Sequence, residues 1–325
     1  MRIFLFIAFI ILLVAGWFAG WFFVAGQVET VIEDVKRKLA DNHQTLDCSN
    51  QQITGFPFRI SLNCDSLVYA DSENGMSLST GRLRSAAQAY QPNRAVAEIE
   101  APANLTLPGN QRFQTRWSSM RTSMTAGLTG PTRISLSGKD LAISPAPENP
   151  QLATSRIDGF QFHGRRNGDN AVDLAINIDN AKTETGPWPD YDLLLDMRME
   201  DIYADLLQRT DLIEIARQKG LKGEIHNLHY SALEGGTATI SGPMNIDTQG
   251  RLSGKFQVTV SQLPALLDAL ALTFPDKQED IDKASGVLDA LAGQGKNAEF
   301  KLPVVVKNGT VIIGLFPVGD IPPLY

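Results

Sequence analysis

The sequence predicts a β-rich α+β fold: an N-terminal transmembrane helix followed by a mostly antiparallel sheet, curved or built from repeats, with covering helices. Three observations predict it. An apolar run without a charged side chain extends from Ile3 to Gln27. After Leu46 the apolar spacing changes from the helical period to alternation, the period of a half-buried strand. The alternation gives way to helical, leucine-rich spacing in two places, residues 201–219 and 262–293.

The leading run comes first. At about 1.5 Å per residue it reaches roughly 36 Å, enough to cross a hydrocarbon layer about 30 Å thick. A secretory signal has an apolar region of only about 7–15 residues, and Val24-Ala25-Gly26 is a poor cleavage site, so the run is expected to remain as an anchor. Trp17, Trp21, Phe22 and Phe23 crowd its C-terminal end as an aromatic belt would. Arg2 and the amino terminus lie before it, while Glu29, Glu33 and Asp34 follow. The positive-inside rule then keeps the N-terminus in the cytoplasm and exports the body, into the periplasm for a bacterial inner membrane. Cys48 and Cys64 are the only cysteines, and an oxidising compartment would join them.

Val28, Val31, Ile32, Val35 and Leu39 continue a helical stripe, so residues 1–42 read as anchor and stem, the stripe docking on the body or, as the alternative, pairing with another stem. Residues 43–150 read as an N-terminal β-rich subdomain. Phe58 to Cys64 alternates, and Gly55-Phe56-Pro57 is the turn that joins it to the Cys48 strand. Ile134 and Leu141 each open a short alternating strand, and the proline-rich stretch from Pro145 to Pro150 is an internal break. Residues 151–325 read as a C-terminal β-rich subdomain with two helical insertions. Its strands include Phe160-Gln-Phe162, Val172 to Ile178, Tyr191 to Met197, Ala238 to Ser241 and Leu252 to Val260. The helix over 201–219 stops near Gly220, and the one over 262–293 breaks at Pro275. Asn308-Gly309 is a two-residue hairpin turn, and Pro317 to Tyr325 should lie extended. Met197, Met199, Ile202 and Leu206 match Val258, Val260, Leu263 and Leu267 at one offset of 61, a sign of an internal repeat.

Three motifs carry a resemblance: Cys48…Ile53-Thr-Gly-Phe-Pro-Phe-Arg59…Cys64, Leu252-Ser-Gly…Leu263-Pro-Ala-Leu-Leu267, and Gly314…Pro317-Val-Gly-Asp-Ile-Pro-Pro-Leu324. Together they resemble the proteobacterial membrane-anchored family called domain of unknown function 2125. That resemblance implies topology and location and transfers no catalytic residue. A looser one, to the AsmA-like envelope proteins, implies a curved sheet whose apolar face handles lipid or serves outer-membrane assembly.

The formal charge of −7, with no basic block, argues against a nucleic-acid partner. Two cysteines exclude a cysteine-rich metal site. His226 and His229 have a metal-ligand spacing, but they lie on a strand pattern that turns them to opposite faces. Glu184, Asp190 and Asp192 gather near Trp188, the most that the chain offers a hydrolase. Arg165-Arg166 reads as a hairpin tip, with an acidic headgroup as its alternative partner. No enzyme, cofactor or metal is expected. The expected function is a membrane-anchored protein that binds or transfers lipid or another apolar envelope component. Phe160 and Phe162 would line the groove, and Leu263, Leu266, Leu267 and Leu270 would cover it. A scaffold that binds another envelope protein is the alternative.

Overall fold

The structure is a computed structural model. It describes residues 2–146, 154–184, 189–208, 212–233, 235–273, 278–279, 281–283, 285–286 and 299–325. Trp188, Pro275 and the prolines at 147–150 therefore lie outside the described residues. The chain divides into two units. The first holds residues up to Thr129 and the end of one strand from Ile143; the second begins at Gly130 and takes the rest.

Helix α1 (Arg2–Ala40) opens the first unit. The chain reverses through His43, at φ 57°, and enters ten strands. These are β1 (Gln44–Ser49), β2 (Gln52–Thr54), β3 (Arg59–Cys64), β4 (Ser66–Asp71) and β5 (Met76–Thr80). Then come β6 (Leu83–Gln88), β7 (Gln91–Ile99), β8 (Ala103–Leu107), β9 (Gln111–Arg116) and β10 (Ser119–Gly127). Their pairing shows five long strands, each interrupted once. β1 pairs with β4 while β2 pairs with β3, and β4 pairs with β5 while β3 pairs with β6. Likewise β5 pairs with β8 and β6 with β7, then β8 with β9 and β7 with β10.

The interruptions, at 50–51, 65, 81–82, 100–102 and 117–118, fall side by side as one crease across the meander. Backbone bonds cross it from Asp65 N to Ser49 O at 2.9 Å and from Glu100 N to Arg82 O at 2.8 Å. A Cβ on Gly81 would lie 2.7 Å from the Glu100 carbonyl oxygen, so only glycine fits there. The expected disulfide is present: Cys48 and Cys64 are bonded at the crease, with Cα atoms 5.3 Å apart.

The second unit starts with β11 (Gly130–Pro145), whose end belongs to the first. β12 (Ser155–Asn167), β13 (Ala171–Thr183) and β14 (Tyr191–Glu200) follow, then α2 (Tyr203–Gln208) and α3 (Leu212–Lys219). β15 (Leu221–Ala232), β16 (Thr237–Ile246) and β17 (Leu252–Ser261) lead to α4 (Leu263–Thr273). β18 (Phe300–Lys307), β19 (Thr310–Ile313) and β20 (Phe316–Asp320) complete the unit. From β12 to β20 every strand pairs antiparallel with the next. Asn308 and Gly309 both have positive φ, 50° and 92°, which the expected two-residue turn demands.

The repeat has a backbone counterpart. Asp201 and Gln262, 61 positions apart, both take the left-handed conformation, at φ 51° and 49°. Each follows a strand whose last residue but one is buried (Met199, Val260), and each is followed at once, at the helix entrance, by a side chain 2 % exposed (Ile202, Leu263). Asp140, a further 61 positions upstream, has φ 51° and precedes the buried Leu141. There the chain continues as strand, so the two short strands expected at Ile134 and Leu141 are one, β11. A left-handed residue redirects a strand in a single step, at a small cost for Asp and a larger one for most other side chains.

Two expectations need correction. The stem stripe docks only in part: Val28 packs beside Ile53 and Ile60, whereas Val31 and Val35 are exposed. The Phe58–Cys64 alternation buries Ile60 and Cys64 but leaves Phe58 65 % exposed, because Phe58 sits at the hairpin tip, where the Trp17 ring stands beside it at 6.3 Å, centroid to centroid, without covering it.

Candidate functional apolar face

One face of the second unit is apolar, and its strand registers align. Phe162 pairs across to Ile176, and Ile176 to Leu195. Leu195 pairs to Leu228, Leu228 to Ile240, Ile240 to Val258 and Val258 to Leu302. Seven strands thus give one apolar side chain each to a single row. A second row starts Phe160, Ile178, Leu193, Tyr230, Ala238 and Val260. Side chains alternate along a strand, so both rows lie on one face and the intervening row on the other. That intervening row, Gln161, Asn177, Leu194, His229, Thr239, Thr259 and Lys301, is largely polar.

Helices close the two ends of this face. Beyond β14, Ile202, Tyr203, Ile215 and Ala216 form a buried cluster with Val172, Met199, Leu221 and Ile246. The Tyr203 hydroxyl donates to the Pro131 carbonyl at 3.0 Å and fixes the start of α2. At the other end, Leu263 and Leu266 are buried with Phe256, Val260, Leu302 and Val304, and Gln262 accepts from the Gly236 amide at 3.2 Å. Between the two clusters lie Phe160, Phe162, Ile176, Ile178, Leu193, Leu195 and Leu228. Each is half-buried, and none belongs to either cluster. Close packing would normally bury large apolar side chains in mid-sheet.

The polar face is internally satisfied where it is most charged. Asp173 pairs across to Arg198 and accepts from Arg165 at 2.7 Å, Arg198 at 2.9 Å and Asn167 at 2.8 Å. Partial burial raises its pKa, but the hydrogen bonds from these partners prevail and hold the carboxyl at about 2. Tyr191 and Tyr230 stack with ring centroids 5.7 Å apart on the apolar face; burial, then the neighbouring Tyr191, raises the Tyr230 pKa.

The structure separates the side chains singled out in the sequence. Leu263 and Leu266 are core residues of the α4 end, with Leu267 and Leu270 packed against the same cluster. Phe160 and Phe162 share the sheet face with that cluster but stand on β12, five strands from β17. The residues between them, above all Ile176, Ile178, Leu193, Leu195 and Leu228, were missed. Alternation marked most of their strands, but only the register shows that they fall into rows. Glu184 is paired with Arg156 at 2.6 Å, Asp190 with Lys182 at 3.5 Å, and Asp192 accepts from the Asn180 amide at 2.7 Å. Arg165 is held by Asp173 and Arg166 lies 4.6 Å over the Tyr203 ring. His229 bonds Thr239 at 2.9 Å, and no group of three or more His, Cys, Asp or Glu side chains fit to hold a metal occurs among the described residues.

Helix α1 is long and apolar enough to cross a membrane. No curated protein and no solved structure matches the chain, and the AsmA-like resemblance finds no support there. The model of a family described as an uncharacterized protein conserved in bacteria, DUF2125, matches residues 21–322, and the chain belongs to that family.

Proposed function

We propose that this is a non-enzymatic protein anchored in the bacterial inner membrane, N-terminus in the cytoplasm and body in the periplasm, that binds or transfers lipid along the apolar face of its second unit. The observation that carries the reading is the β12–β15 part of the two in-register apolar rows, half-buried and outside both helix-closed clusters. Alkyl chains are the natural occupant of such a strip, since about 25 cal/mol is gained per Å² of apolar surface withdrawn from water. The charge order around α1, Arg2 before it and Glu29, Glu33 and Asp34 after it, supports the orientation. The Cys48–Cys64 disulfide supports an oxidising compartment for the body.

A photo-crosslinking amino acid placed in the full chain, in its own membrane, tests the binding. At Leu195 and Phe162 it should capture lipid, and at Gln161 and Asn177, on the other face of neighbouring strands, it should not. Equal capture on both faces, or none at Leu195 and Phe162, would sink the proposal. A protein adduct confined to the apolar face would move the reading to a scaffold for another envelope protein.

A further inference from the structure

The first unit carries a second apolar surface, made of hairpin tips. Three of its turns point the same way: 55–58 between β2 and β3, 89–90 between β6 and β7, and 128–129 after β10. The register aligns them. Arg59 pairs with Gln88 and Gln88 with Gln91. Arg94 pairs with Thr125, and Asn93 bonds the Ala126 carbonyl one step further out. Continued two more steps, that register brings Leu128 level with Gln91. Each tip exposes a large apolar or aromatic side chain: Phe58 is 65 %, Tyr90 66 % and Leu128 fully exposed.

The level of this edge is set by α1. From Trp21 to Ala40 the helix rises about 29 Å. The chain then turns back, and the path from Gln44 to Thr54 descends about 33 Å. The 55–58 tip therefore meets the helix at its aromatic belt. The Trp17 and Trp21 indole N–H groups donate to the Pro57 and Arg59 carbonyls at 3.1 and 2.7 Å. Phe56 lies 4.7 Å from Phe18 and 5.3 Å from Trp21, centroid to centroid. A span that begins at Ile3 uses about twenty residues to cross the hydrocarbon layer, so it ends near Phe22. The tip thus stands beside the last turns of the span, where aromatic side chains settle at a bilayer interface.

Charge points to the same partner. The tip segments 51–64, 85–97 and 122–129 contain Arg59 and Arg94 and no Asp or Glu, in a protein of net charge −7. The opposite end of the same sheet turns through Asp71, Ser72 and Glu73, beside His43. Apolar tips backed by arginines and freed of acids complement an anionic membrane surface.

We propose that the three tips rest in the outer interface of the bilayer, Phe58, Tyr90 and Leu128 among the upper acyl chains and Arg59 and Arg94 at anionic headgroups. The first unit is thereby held against the membrane along an edge rather than by the helix alone. This proposal stands independently of lipid binding by the second unit.

Single cysteines at positions 58, 90 and 128 (Phe58→Cys, Tyr90→Cys, Leu128→Cys), with the native pair oxidised, accept an environment-sensitive fluorophore. Asn74→Cys at the opposite end is the control. The labelled full chain is reconstituted into phosphatidylcholine vesicles with and without phosphatidylglycerol. With phosphatidylglycerol present, all three tip probes should be blue-shifted, quenched by doxyl lipid and protected from iodide, while the control shows the reverse. Arg59→Glu with Arg94→Glu should loosen the Tyr90 and Leu128 positions from the membrane. Quenching at 58 alone, with 90 and 128 open to iodide, overturns the proposal, as does protection from iodide without any response to doxyl lipid, which would mean that a second copy covers the edge.

Discussion

In the second unit, neighbouring strands meet apolar side chain against apolar side chain, row after row, and helices seal the ends. In the first unit the same up-and-down meander buries very little. Its buried sheet residues are Ile60, Cys64 and Ala103, with Asp71, and two more, Trp21 and Ala25, come from α1. The strands there are rich in Ser, Thr, Asn and Gln on both faces. A creased meander of this kind has little apolar area to oppose the entropy of ordering its chain. It is held instead by a covalent clamp on the crease and by the indole donors of α1 on the first hairpin. One pairing scheme is thus stabilised in two ways, by burial and by tethering.

The largest test of that comparison strikes burial. Ile202→Ala and Leu263→Ala each remove a side chain 2 % exposed at a helix start, and each should cost about 2–5 kcal/mol in urea unfolding of the full chain in detergent. The loss should appear in probes of the second unit. Equal weakening of a probe in the first unit would show that one cooperative body, not two modes of closure, unfolds.

The converse strikes the tether. Cys48→Ser with Cys64→Ser opens the clamp and should cost the first unit about 3 kcal/mol on the chain-entropy account. Hydrogen exchange should rise in β1 to β6 and stay unchanged in β13 to β17. Rapid exchange throughout would break the comparison.

Legibility in the sequence follows the same division. Where burial dominates, side-chain period carries the fold, and the Val172–Ile178, Tyr191–Met197 and Leu252–Val260 strands could be read directly. So could the disulfide, because only two cysteines were present to pair. Where tethering dominates, the pattern misled: Phe58 alternates with Ile60 and Cys64 yet lies outside. The helix contacts that decide this, Trp17 to Pro57 and Trp21 to Arg59, join residues 40 and 38 positions apart. The candidate face was half legible for a related reason. Phe160 and Phe162 stood out as aromatics, but row membership depends on register, which turns and bulges fix non-locally. The bulge between Asp196 and Met197 opposite His226 is one such shift.

A smaller effect probes the polar face, where charge rather than either mode of closure acts. The Asp173 carboxyl is held at about 2, against an ordinary value of 3.8, so the folded state binds its proton less readily than the unfolded state. Its contribution is complete above pH 4 and disappears as the pH falls towards 2. With Arg165 and Arg198 both substantially exposed, it should amount to about 1–2 kcal/mol. Urea titrations at pH 6, 4 and 2 should show that decline, and Asp173→Asn should flatten it. An unchanged slope in the variant would assign the acid sensitivity elsewhere.

The smallest effect separates the two repeat corners. Asp201 and Gln262 share a left-handed backbone, which glycine adopts without strain, so backbone alone predicts similar gains on substitution. The side chains differ in duty. Gln262 accepts from the Gly236 amide, whereas the bond recorded at Asp201 uses its backbone carbonyl, an acceptor for Lys219. Asp201→Gly retains that carbonyl and should change stability by no more than about 0.5 kcal/mol in either direction, relief of strain offsetting the greater freedom of the unfolded glycine. Gln262→Gly leaves a buried glycine amide without its partner and should cost about 1–2 kcal/mol. If the two variants behave alike, the corner is a backbone device only, and the Gln262 side chain has no part in holding α4 to the sheet.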